Sequence, residues 1–173
     1  VTSAKELKEV SGSTSYWGNF GDYGGVAGYN AGRIYNCHSR SNAEGSNFIV
    51  AYNRCHTGGL VGRNQYNGTS YFGVIEHDGR EVVDIPIFVG NAYTADNPYT
   101  GGIVGSAAGP LELKDFTYSG AIQIRCARTF AGGTGGIIGA LSDDQSMTGC
   151  IMSGSITSVS YYTGGLVGYM GGG

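Results

Sequence analysis

Asp143-Asp144, three histidines and a cluster of aromatic rings are the residues of this chain whose types could do chemistry. Paired carboxylates serve polysaccharide hydrolysis as acid and base. Neighbours on a strand point to opposite faces, so these two could act together only from a turn. Ser142-Asp143-Asp144-Gln145 has turn composition, where solvated carboxylates are the default. The same loop lacks the Asp-x-Asp-x-Asp-Gly spacing of a calcium site. His38, His56 and His77 read as isolated, each without a ligand partner three or four residues on. Neither Gly-x-Ser-x-Gly nor His-Glu-x-x-His occurs. No catalytic residue, metal or cofactor is therefore assigned, and the chain is expected not to be an enzyme. Tyr16, Trp17, Phe20 and Tyr23 lie within eight residues of one another, and Tyr161-Tyr162 stand near the other end. Such rings stack on sugars while Asn, Asp and Arg supply hydrogen bonds, so the first four form the candidate ligand site. The competing reading makes them lining or caps of a core. Arg33, Arg40, Arg54 and Arg63 could add a polar recognition surface, or be simply solvated. Asn67-Gly68-Thr69 fits a glycosylation sequon and reads as a turn.

Charge narrows the partners. Thirteen acids and ten bases give a net charge of −3, spread without blocks. There is no basic stripe for nucleic acid and no run of about 20 apolar residues for a membrane span. Cys37, Cys55, Cys126 and Cys150 show no Cys-x-x-Cys spacing, which excludes zinc-ribbon and thioredoxin-type motifs. As a disulfide framework the local pairing would be Cys37–Cys55 with Cys126–Cys150. As thiols they would be small buried hydrophobes. The Gly-rich, Tyr-rich, Lys-poor composition suits an extracellular setting. The chain begins at Val1, which suggests a processed product or a segment of a longer protein.

The elements that must position these residues are announced by a repeat. Of 173 residues, 33 are Gly and only 3 are Pro, with no collagen period. Fifteen of those glycines fall in five copies of Gly-Gly-apolar-apolar-Gly: Gly24, Gly25 and Gly28; Gly58, Gly59 and Gly62; Gly101, Gly102 and Gly105; Gly135, Gly136 and Gly139; Gly164, Gly165 and Gly168. The copies start 34, 43, 34 and 29 residues apart. The fourth copy superficially resembles a dinucleotide-binding loop, but its recurrence marks it as structural. Asn47–Tyr52, Val82–Val89, Leu111–Tyr118, Ala121–Cys126 and Ser155–Ser160 read as strands. Strands at this period, with Gly at fixed corners, indicate an all-β solenoid. Gly would supply positive φ at corners and close stacking between rungs. Val26, Leu60, Ile103, Ile137 and Leu166 would form an internal ladder with a step of about 4.8 Å. Two departures are expected. Ser3 and Glu6 form a capping box before Leu7 and Val10, which predicts a short helix over Thr2–Val10 that lids the first coil. Asp78-Gly79 between β-rich runs predicts a hairpin in the longest interval. The fifth motif is followed only by Tyr169-Met170-Gly171-Gly172-Gly173, so an open sheet edge is expected there.

The five motifs, with Gly32-Arg33-Ile34-Tyr35-Asn36-Cys37 after the first, resemble GLUG-motif repeats of large bacterial surface proteins, including adhesins and the non-catalytic parts of IgA-protease-like proteins. The likeness runs from about Gly24 to Gly168, although the Asn-Cys step is missing after the second and third motifs. It implies a right-handed, parallel β-helix-like stalk or adhesive module that is exported and surface-attached. The expected organisation is one domain over 1–173, with a cap and lead-in over 1–23 and five repeats over 24–173. Expected partners are other copies or further repeats at the C-terminal edge, and host or matrix glycans or proteins. Self-assembly into a filament or surface layer, and a β-helical polysaccharide-active enzyme, are the alternatives.

Overall fold

Runs of two to six residues rich in Ile, Val, Tyr and Thr are too short to bury a face alone, and they pair with counterparts on neighbouring repeats. The computed structural model describes residues 6–8, 21–41, 48–52, 55–65, 73–91, 98–126, 130–142 and 145–171. Glu6–Lys8, Phe48–Tyr52, Ile87–Asn91, Ala121–Cys126 and Ser155–Thr157 make the first sheet, paired in that order. The second is Gly21–Gly24, Cys55–Gly58, Tyr99–Gly101, Phe130–Gly135 and Ser160–Gly164. The third is Ala27–Asn30, Val61–Asn64, Val104–Ala107, Ile138–Leu141 and Val167–Met170. Every pairing in the three is parallel. Sheet neighbours come from successive repeats, so the chain passes once through each sheet per repeat and stacks as five coils. This all-β, parallel arrangement is consistent with a solenoid. A fourth side carries Arg33–Tyr35 beside Val74–Glu76, and Leu111–Lys114 beside Gln145–Thr148. A fifth carries Glu81–Val83, Phe116–Tyr118 and Ile151–Met152.

The Gly-Gly motif is the corner between the second and third sheets, and its third residue builds the expected ladder. The amide of Val26 donates to the Leu60 carbonyl at 3.0 Å, Leu60 to Ile103 at 3.0 Å, and Ile103 to Ile137 and Ile137 to Leu166 at 2.9 Å. Leu60, Ile103 and Ile137 are fully buried. Ile49, Ile87, Ile122 and Ile156 make a parallel file in the first sheet. The motif glycines serve stacking, while positive φ lies elsewhere. A Cβ on Gly24, Gly58, Gly101 or Gly135 would stand 2.7 Å from the carbonyl oxygen of Leu60, Ile103, Ile137 or Leu166 on the next coil. None of the fifteen has positive φ; among the described residues that conformation falls at Asn36 (48°), Asp115 (58°) and Gly149 (64°), each directly after a strand of the fourth side, at Gly79 (80°), three residues past one, and at Gly109.

Two expected strands break, one at such a corner and one at a proline. Leu111–Tyr118 bends at Asp115, and Val82–Val89 is interrupted by Asp84-Ile85-Pro86, where Pro86 has no N–H for a ladder. Other expectations fail. In place of a helix within Thr2–Val10, Glu6–Lys8 is a strand paired with Phe48–Val50, because a neighbouring coil offers an edge that outweighs local capping. The Asp78-Gly79 hairpin is also absent. Val74–Glu76 pairs in parallel with the first coil and Glu81–Val83 in parallel with the third. A two-residue hairpin of the expected type needs positive φ at both residues, and only Gly79 has it. Cys37 and Cys150 are free thiols, so neither local disulfide forms. Cys55 is buried, with Thr57 Oγ1 donating to its Sγ at 3.3 Å. Cys37 and Cys150 pack against the core, the reading in which cysteines act as small hydrophobes.

Candidate functional site

Parallel register places equivalent residues of successive coils in files, and two files face each other outside the Gly-Gly corner. Asp22, His56, Tyr99, Gly133 and Tyr162 align on the second sheet. Tyr29, Arg63, Ser106, Ala140 and Tyr169 align on the third. The two files touch along their length. His56 and Tyr99 rings lie 5.5 Å apart, Tyr99 stacks on Tyr169 at 6.4 Å and 27°, and Tyr162 meets Tyr169 at 5.1 Å. Tyr99 and Tyr169 reach across a coil that contributes only Gly133 and Ala140. A Cβ on Gly133 would stand 3.0 Å from that of Tyr169. Tyr29, Tyr162 and Tyr169 are 48, 45 and 37% exposed, so each keeps a substantial part of its surface open to solvent.

The polar end of this stripe superficially resembles a nucleophile relay. Ser106 Oγ and Arg63 Nε both lie 2.7 Å from His56 Nδ1, and Asp22 Oδ1 lies 3.5 Å from the same atom. A relay needs the nucleophile and the acid on different ring nitrogens. Here all three converge on one, whose single lone pair accepts from Arg63. Burial, with the Arg63 guanidinium beside it, pushes the imidazole down to about 4, leaving it neutral. Burial also raises the Asp22 carboxyl, against the pull of Arg63, whose terminal nitrogen lies 3.1 Å away. The cluster is suited to hydrogen bonding at the edge of an aromatic platform.

A second constellation lies on the fourth and fifth sides. Glu81 is 1% exposed although its register partner on the next coil is Phe116. His38 Nδ1 lies 2.9 Å and His77 Nε2 3.2 Å from Glu81 Oε2, and all three donor atoms fall within 4.8 Å of one another. Arg40 flanks Oε1 at 3.4 Å. His77 also borders a groove of about 660 Å³ whose walls include Arg33, Tyr35, Asp78, Leu111 and Lys114. Along its rim Arg33 pairs with Glu76 at 2.6 Å, while Asp78 accepts from Tyr35 at 2.5 Å and Asn36 at 3.0 Å. These bonds lower the Asp78 carboxyl and raise the Tyr35 phenol.

Of the expected ligand residues, Tyr23 is half-buried and packs against the core, the lining role weighed against sugar binding. Tyr16, Trp17 and Phe20 lie outside the described residues, as do Asp143-Asp144, Arg54 and Asn67-Gly68-Thr69. Tyr162 joins the stripe, whereas Arg33, Arg40 and Arg63 are engaged by Glu76, Glu81 and Asp22. Sequence reasoning missed Tyr29, Tyr99 and Tyr169. Their shared signal is position: Tyr29 and Tyr169 each directly follow the last Gly of a motif, and Tyr99 stands two residues before one. It also missed Glu81, four residues after His77. None of the protein-family models, curated proteins or solved structures compared with this chain matches it.

Proposed function

We propose that this chain is a non-enzymatic segment of an exported bacterial surface protein, a right-handed β-solenoid of GLUG-like repeats serving as an adhesive stalk that binds glycans. The right hand is the one taken by about 98% of parallel β crossovers. The observation that carries the reading is the cluster of rings Tyr99, Tyr162 and Tyr169 on one outer face, continued in register by Ser106, Arg63 and Asp22 towards Tyr29. A stack of coils repeats its outer face, so a repeating saccharide can lie along it with sugar faces on rings and hydroxyls on the polar edge. The test is glycan-array binding followed by titration of the best glycan. Tyr169→Ala and Tyr162→Ala should each weaken it about tenfold, the upper range of one ring contact. Wild-type binding by both variants, or no glycan bound by the parent, would remove the site.

One observation favours a second reading, self-assembly through coil edges. Leu166 is 42% exposed where its ladder counterpart Ile137 is fully buried, and Met170 is 74% exposed.

A further inference from the structure

We propose that His38, His77 and Glu81 form a zinc-class metal site that clasps the first coil to the second. His38 follows the first-coil strand Arg33–Tyr35, whereas His77 and Glu81 flank the fourth-to-fifth-side corner of the second coil. Two imidazole nitrogens and one carboxylate oxygen are the donor set that borderline divalent ions such as Zn²⁺ take, with water completing four-coordination. Donors about 2.0–2.1 Å from a tetrahedral ion stand about 3.3 Å apart. The two histidine nitrogens stand 2.9 and 3.2 Å from the same carboxylate oxygen, close to that spacing.

Two features point to an ion in addition to the geometry. A carboxylate buried to 1% exposure, aligned with Phe116, is costly unless compensated. Glu81 Oε1 and His77 Nε2 are also buried without a hydrogen-bond partner. Arg40, 47% exposed, lies 3.4 Å from Oε1 and 3.5 Å from Oε2, so it supplies part of the compensating charge and would have to turn towards Oε1 when Oε2 takes the ion. His77 Nδ1 lies 3.1 Å from the Asp78 carbonyl, the outer bond that orients a ligating imidazole through its other nitrogen. Cys37 does not belong to the group of donor atoms within 4.8 Å of one another, and its thiol donates instead to the Tyr35 carbonyl at 3.4 Å. The rival arrangement is a metal-free His–Glu–Arg network, and the two differ in whether zinc binds.

The experiment uses the whole chain without a histidine tag, stripped with chelator and titrated with zinc chloride by calorimetry, with magnesium as control. The expected result is one zinc per chain, a melting temperature raised by zinc but not by magnesium, and affinity lowered at least about tenfold in His38→Ala and Glu81→Gln. His38 is the safer change because its side chain is 51% exposed. Urea unfolding in chelator shows that each variant folds. Cobalt(II) in place of zinc should give the visible absorption of a four-coordinate site in the parent and lose it in His38→Ala. Absence of zinc binding by the parent, or equal affinity in folded His38→Ala, overturns the proposal in favour of the metal-free network.

Discussion

His56 shows how one residue's surroundings set its behaviour. Its side chain is 21% exposed, and its Nδ1 accepts from Arg63, so the ring is held neutral with its pKa at about 4. Unfolded, the same ring takes a proton near 6.5. The unfolded state therefore binds more protons between those values, and the contribution from His56 is complete above pH 6.5 and lost as pH falls towards 4. The full shift is worth on the order of 3 kcal/mol. Asp22 acts in the opposite sense, because its raised carboxyl takes a proton earlier in the folded state. Urea midpoints at pH 7 and pH 4.5 should thus differ in the parent and differ much less in His56→Gln, whose amide oxygen can still accept from Arg63. An equal acid loss in that variant would place the sensitivity elsewhere. Little of this was legible in the sequence. His56, Arg63 and Ser106 are seven and fifty residues apart, separations that mean nothing until coil register is known. The same holds for His38 and Glu81, separated by 43 residues and joined at 2.9 Å.

At the scale of the element, the five motifs specify one corner five times, and burial alone separates the copies. The second glycine of an inner copy is enclosed. A Cβ on Gly102 would collide with the Gly136 carbonyl and the ring of fully buried Tyr118, whose hydroxyl is fixed by donation to the Ile85 carbonyl at 2.9 Å. At Gly165, the same position in the last coil, nothing lies within 4 Å. Gly102→Ala should cost about 1–3 kcal/mol or more by overpacking, while Gly165→Ala should be neutral or stabilise by up to about 1 kcal/mol. Urea unfolding of the pair checks this, and equal effects would mean that inner and outer coils are not packed differently. The motifs, the ladder and the strand at Ala121–Cys126 could be read directly, because each is a local pattern. The corners could not. Asn36, Gly79, Asp115 and Gly149 share a conformation with no common residue type, so Asp78-Gly79 reads as a hairpin until Asp78 is seen to lack positive φ. The N-terminal strand was hidden for a related reason, since a capping box is a local signal and its sheet partner lies at 48–50.

Across the whole molecule, packing falls off toward the last coil. Ile137 and Ile138 are buried, whereas one coil later Leu166 is 42% exposed and Val167 only partly covered. Among the described residues, the strands Ser155–Thr157, Ser160–Gly164 and Val167–Met170 each form the outermost member of their sheet, with no further strand beside them. Such an edge is a template for another strand. Sedimentation velocity should show concentration-dependent association of the parent, suppressed in Leu166→Lys. A parent that stays monomeric at high concentration would dismiss stacking through this edge.

The sequence by itself determined the period, the parallel ladder of apolar residues and the need for glycine at fixed steps, because a repeat writes the same local constraint several times. Tertiary structure alone decided that those glycines serve close stacking and not positive φ, that Tyr29, Tyr99, Tyr162 and Tyr169 share one outer face, and that His38, His77 and Glu81 converge. Contacts between coils depend on register and on the angle of each corner, and these are set by packing across residues some 35 or 43 positions apart.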